Sequence, residues 1–183
     1  MDYFGVGICF ISLLVGIQAD SHLSQANGGG FHSGPDYYWR DFYGYIPEDA
    51  FPTGNPNYFI GQLVRGNTLV PALVKKEGKD IVAEYTWAGQ PYTQSHDFQI
   101  LATTDASQFE FKETNADDLN LLMFNHHLVV GGYDDGFPSY IGRAFVNQKI
   151  GKVSTHNKSP GMTYVRNGEA VRDYSYEVLV HKN

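Results

Sequence analysis

Cysteine is almost absent from this 183-residue chain. Cys9 is the only one, so no disulfide framework and no all-thiolate zinc site can be built within it. Charge is sparse too, at 18% of residues with a net value of −7, and no run of lysines or arginines occurs. That balance excludes the basic face that general nucleic-acid binding requires. The sequence holds no Gly-x-Ser-x-Gly elbow, no His-Glu-x-x-His and no phosphate-binding loop. It also has no strand–glycine turn–helix unit that could hold a nucleotide-type cofactor such as a methyltransferase uses. We therefore expect no enzyme, no cofactor and no metal. His126-His127 would point to opposite faces of a strand, and Asp117-Asp118 lacks the alternating oxygens of a calcium loop.

Long apolar runs are missing as well, save one. Phe4 to Ile17 is apolar but too short to cross a membrane comfortably, and Ala19 suits a cleavage point. Residues 1–19 thus read as a signal peptide, although Asp2 stands where a basic residue is usual. The expectation is a secreted, extracellular protein with no membrane span after cleavage and no cysteine left. Residues 20–36, polar and glycine-rich, read as a flexible lead-in. Asn157-Lys158-Ser159 is a glycosylation sequon weakened by Pro160.

What the chain does have is aromatic residues, 15% in all with 13 tyrosines and 12 phenylalanines, together with 20 glycines. This composition favours short strands and tight turns. Self-similarity supports the same reading. "PNYFIGQLVRGNTLVPALV" (56–74) aligns with "PSYIGRAFVNQKIGKV" (138–153), and "DFQIL" (97–101) with "SYEVL" (175–179). Gly61 falls on Gly142, Gln62 on Arg143 and Val74 on Val153, so three segments match in order at nearly one offset. "YIPEDAFPTGN" (45–55) takes the place of "HLVVGGYDDGF" (127–137). Asn167-Gly168 and the Ala88-Gly89 step mark hairpins. Residues 116–124 fit either a helix opened by Ala-Asp-Asp or an extended connector, and we favour the strand. The chain is expected to be all-β, two pseudo-symmetric repeats of short antiparallel strands (37–115 and 116–183) sharing a core, with exchange of strands between them plausible.

The ordered set "GGYDDG", "YIGRA", "GKV" and "YEVLV" in the second copy resembles the DM-nine domain family of tandem-repeat, lectin-like proteins. The first copy is degenerate, as "AFPTGN", "YFIGQ", "PALV" and "FQIL". The resemblance frames most of residues 39–181. It implies an all-β fold of two repeats and, in some members, binding of mannose-type sugars through the acidic turn and the Gly-Lys-Val lysine. Here those positions are Asp134 or Asp135, and Lys152. Two departures stand out: the acidic turn is one residue shorter than the usual Asp-x-Asp-Gly form, and the loop from Arg143 to Gly151 is short. Thr53 and Leu73 stand at the corresponding places of the first copy, so one site per chain is expected.

The chemistry is coherent without the family. A carboxylate accepts two neighbouring hydroxyls, an ammonium donates to a ring or hydroxyl oxygen, and glycines let a ligand approach the backbone. Tyr133, Phe137 or Tyr140 could face a pyranose ring. The plainer reading is that Asp134 and Asp135 only build a turn. Arg143 with Glu177 reads as a strand-to-strand ion pair, with Arg143 a scaffold or secondary contact, and Trp39 and Trp87 read as core or hairpin anchors. The expectation is a secreted carbohydrate-binding protein of mannose-type specificity, made useful by homo-oligomers. The alternative is a non-catalytic structural or interaction protein of an extracellular or secretory product. A pore-forming role ranks third, because 183 residues leave no room for a separate pore module.

Overall fold

The structure is a computed structural model that describes residues 36–156 and 160–182. The expected signal peptide over 1–19 with Cys9, the expected lead-in up to residue 35 and the Asn157 sequon lie outside the described residues. The first part of the chain forms β1 (Tyr37–Asp41), β2 (Tyr58–Arg65), β3 (Thr68–Glu77), β4 (Asp80–Trp87), β5 (Gln90–Gln94) and β6 (Gln99–Thr103). After a short 3₁₀ turn come β7 (Phe109–Asn115), α1 (Leu119–Asn125), β8 (His127–Leu128) and β9 (Val130–Asp134). The chain then continues through β10 (Phe137–Arg143), β11 (Ile150–Ser154), β12 (Gly161–Arg166), β13 (Glu169–Asp173) and β14 (Ser175–His181). Every ladder among them is antiparallel, as the all-β expectation requires.

One pairing scheme occurs twice. In the first half β1 pairs β6, β6 pairs β2, and β2, β3, β4 and β5 follow as neighbours. In the second, β7, β14, β10, β11, β12 and β13 repeat that order. The match reaches single hydrogen bonds: Phe51 N–H donates to the Leu101 carbonyl at 2.8 Å, and Val129 N–H to that of Leu179 at 3.0 Å. The recurrent Ile-Gly step has a steric cause in both copies. A Cβ on Gly61 would lie 2.6 Å from Val74 Cγ2, and one on Gly142 would lie 2.6 Å from Val153 Cγ2. Those contacts are far inside normal packing distance, so each glycine and the diagonal valine of the next strand form a unit.

Side chains alternate between the two faces of each strand, and the cores follow from this. Ile60, Leu73, Phe51 and Leu101 from one copy meet Ile141, Ile150, Val129 and Leu179 from the other in a common core. The opposite faces make a private core for each copy: Val70, Val74, Ala83, Tyr85 and Ile100 in one, and Tyr140, Val153, Met162, Tyr164 and Val178 in the other. Fully burying one such side chain contributes roughly 1.5–3 kcal/mol, so the common core alone ties the copies firmly. Trp39 packs against the common core and Trp87 against the first private core. A cross-copy bridge, Leu69 to Tyr133, joins β3 to β9. Gly132 permits that approach, because a Cβ there would collide with the Leu69 carbonyl.

Residues 119–125 correct one expectation: they are helical, not extended. Asn115 Oδ1 accepts the backbone N–H groups of Asp117 and Asp118, which bends the chain into the helix. Leu119, Leu122 and Met123 then fall at i, i+3 and i+4 and pack onto the second private core, leaving Leu121 and Phe124 in solvent.

Candidate functional site

The β9–β10 hairpin closes through Asp135 and Gly136, with φ of 49° and 81°, between the facing residues Asp134 and Phe137. Positive φ at both central residues is what a type I′ turn demands, and Asp-Gly suits it. Asp135 is therefore the turn residue and is exposed. Asp134, the last residue of β9, is the acid that meets Lys152: its Oδ2 accepts from Lys152 Nζ at 2.7 Å. The lysine side chain is 12% exposed and the aspartate 42%, so the ammonium is sheltered while the carboxylate stays open on one side. The short 144–149 loop does not displace Lys152, which stands in register with Ile141. The Ala144 N–H donates to the Lys149 carbonyl and closes that loop.

Cross-strand partners carry side chains on one face. Ser139 stands opposite Ser154, and Lys152 opposite Thr163, which in turn faces Arg172. These rows form one wall of a cleft of about 640 Å³. The other wall belongs to the first copy: Thr86, Ala88 and Gly89 at the β4–β5 turn. A hydroxyl bridge, Thr86 Oγ1 to Thr163 Oγ1 at 2.8 Å, joins the two walls. Ala88 is held at φ 50°, an uncommon conformation for a residue with a Cβ, and leaves only a methyl group on that wall. At the mouth, half-exposed Phe137 meets His156 edge-on, with ring centroids 5.2 Å apart. Ser139 also lines the cleft but is only 1% exposed, and among the described residues its hydroxyl has no hydrogen-bond partner.

Of the residues expected at the site, Asp134, Asp135 and Lys152 all line this cleft, and Arg143 does not. Arg143 Nε and Nη2 donate to the Glu177 carboxylate at 2.6 and 2.8 Å, and Nη1 to the Thr53 carbonyl at 2.9 Å. Its guanidinium also lies 3.9 Å from the Phe111 ring centroid, and the bond to Thr53 makes Arg143 a strut between the copies. Among the three aromatic candidates only Phe137 lines the cleft. Tyr140 points into the private core, and Tyr133 lies beside Leu69. Ser139 and the first-copy wall were not legible in advance. The alternation Phe137, Ser139, Ile141 was the one available signal for Ser139; the wall depends on how the copies dock.

The first copy has no equivalent cleft residues, for two reasons. Ten positions separate Val129 from Ser139, but only seven separate the matching Phe51 and Tyr58, so the hairpin tip that carries the acids is missing. Thr53 instead fixes the shorter turn, its hydroxyl donating to the Tyr58 carbonyl at 2.8 Å. Register then places Leu73 and Glu84 where the second copy has Lys152 and Thr163. Leu73 is part of the common core. Glu84 accepts from Lys75 and from Lys149 of the second copy, each at 3.0 Å. Burial alone would raise the Glu84 carboxyl, but hydrogen bonds from Lys149 and Lys75, with their charges, hold it below the ordinary glutamate value. Chemically the surviving cleft offers a carboxylate, an ammonium, several hydroxyls and an aromatic face. Among the described residues no group of three His, Cys, Asp or Glu could hold a metal ion.

A repeat built twice on one strand order, with its motif glycines under valines of the next strand, defines a tandem β-repeat protein. The chain belongs to the DM9 repeat family, whose model matches residues 52–166. Among solved structures it is similar to the nematode sperm cell motility protein MFP2B, at 18% identity and a TM-score of 0.57. The likeness covers 80% of this chain but 46% of that one, so this chain spans under half of its neighbour, and what is shared is the fold. No curated protein sequence matches.

Proposed function

We propose that this DM9 repeat protein binds carbohydrate of mannose type, without catalysis, through one cleft per chain. The observation that carries this reading is the Lys152–Asp134 pair at 2.7 Å on the wall of a hydroxyl-lined cleft. A pyranose presents neighbouring hydroxyls that can donate to the open side of Asp134 and accept from Lys152, while Phe137 covers an apolar ring face. A single small site of this kind binds weakly, and avidity then comes from homo-oligomers. Secretion, with a role in innate recognition of glycans, fits the apolar leader over residues 1–19. Among the described residues no helix is long and apolar enough to cross a membrane. A glycan array tests the proposal: selective binding of mannose-containing glycans that is lost in folded Lys152→Ala supports it, and an array with no selective signal refutes it.

One observation favours a second reading, that of a structural or interaction protein. Leu121, Phe124, Phe145 and Val146 are exposed apolar residues, and such residues suit contact with another protein. The neighbour of similar fold is itself a motility protein.

A further inference from the structure

We infer that Ser139 is the specificity-determining residue of the cleft, its hydroxyl reserved for one hydroxyl of the bound sugar. The inference rests on the carbohydrate reading above and adds a residue and a discrimination that the Asp134–Lys152 pair cannot supply. Ser139 lies in the middle of β10, in register with Gly132 on one side and Ser154 on the other. Neither neighbour satisfies it. Gly132 has no side chain, and the Ser154 hydroxyl accepts the His156 N–H at 3.2 Å. Among the described residues the Ser139 hydroxyl therefore has no partner for its donor or acceptor, and the residue, though buried, lines the cleft.

An unpaired buried hydroxyl costs stability, and an alanine or valine would fill a strand interior without that cost. The cost is removed when the Ser139 side chain turns toward the cleft and a ligand hydroxyl at its floor pairs with it. Asp134 is the more open group and, with Lys152, can grip any vicinal pair of hydroxyls. Ser139 is deeper and offers one point of contact, so it selects which hydroxyl must point inward. A site built to pair with a hydroxyl rejects an analogue that lacks it, because its own polar group is then left unpaired.

The test pairs Ser139→Ala with mannose and its 2-, 3-, 4- and 6-deoxy analogues, measured by calorimetry beside thermal melting. Wild type should bind mannose and lose roughly tenfold for one deoxy analogue through Ser139. Ser139→Ala should bind mannose roughly tenfold more weakly and no longer distinguish mannose from that one analogue. Its melting temperature should be unchanged or higher, as the removal of an unpaired buried hydroxyl predicts, so it is the lost discrimination of that analogue that a merely structural serine would not give. Ser139→Cys, of similar size and a weaker donor, provides the same reading should the alanine variant fail to fold. Equal mannose affinity and an unaltered analogue pattern in Ser139→Ala would overturn the inference while Lys152→Ala still abolished binding. Absence of binding by wild type would overturn the carbohydrate reading and this one with it.

Discussion

Arg143 and Glu177 face each other across β10 and β14 in a two-pronged ion pair, and Gln62 and Gln99 face each other at the matching place on β2 and β6. Gln62 Nε2 donates to Gln99 Oε1 at 2.8 Å. The repeat thus fills one structural position with an ion pair in one copy and a neutral amide pair in the other. Breaking a mostly buried pair strands a charge, whereas replacing both partners need not. Arg143→Ala should cost about 3 kcal/mol. The double variant Arg143→Gln/Glu177→Gln should recover more than half of that loss, measured by urea unfolding; a double variant as unstable as the single one would show that the charges themselves are needed.

Tyr176 is buried in the second private core, among the described residues its hydroxyl has no partner, and burial raises its pKa from 10.0 to about 12. Between those values the unfolded chain has lost the proton and the folded one retains it. Stability is therefore complete below pH 10 and falls as pH rises through 12, by on the order of 2 kcal/mol. Tyr176→Phe should reduce the alkaline slope, the remainder coming from Tyr37, Tyr140 and Tyr164, whose pKa values burial also raises. It should also add about 1 kcal/mol at neutral pH, because no unpaired hydroxyl remains. Denaturant titrations at pH 7 and pH 11 check both signs.

The Lys75–Glu84–Lys149 cluster makes an acid-side prediction. The folded Glu84 carboxyl titrates below its unfolded value of 4.5, so its contribution is present above that pH and lost as pH falls through the folded value. Glu84→Gln should therefore be less stable than wild type at pH 7, and the gap should narrow by pH 3. A gap that stays constant with pH would mean that packing, not charge, is lost in the variant.

Asp134 and Asp135 are adjacent and chemically identical, and the hairpin separates their roles. Asp134→Asn should weaken mannose binding more than tenfold, because its carboxylate both holds Lys152 and stays open to a ligand. Asp135→Asn should change it less than threefold, since asparagine also tolerates the positive φ of a type I′ turn. Calorimetry on both variants separates them. Equal losses would mean that the turn residue also contacts the sugar.

Much of this arrangement was legible in the chain. Local signals located the strands: alternation in "YFIGQ" and "YIGRA", and turn residues at Ala88-Gly89 and Asn167-Gly168, whose positive φ values follow from hairpin closure. The repeat supplied the second level, for Gly61 and Gly142 recur because each lies under a valine of the next strand. α1 was misread because seven residues hold barely two helical turns, too few for the Leu119, Leu122, Met123 spacing to stand out from an apolar run. Ser139 and the Thr86–Ala88–Gly89 wall were illegible for another reason. They become neighbours only when the two copies dock through the common core, and no local pattern encodes that contact.

The central claim is that the Asp134–Lys152 cleft holds a sugar. Calorimetric titration of residues 20–183 with mannose and with mannan, beside Lys152→Ala, tests it most directly. Saturable heat at one site per chain, lost in a Lys152→Ala variant that melts like wild type, is the predicted result. No heat with either ligand, or heat undiminished in Lys152→Ala, would contradict it and leave the "GGYDDG" hairpin as a turn that only shapes the sheet.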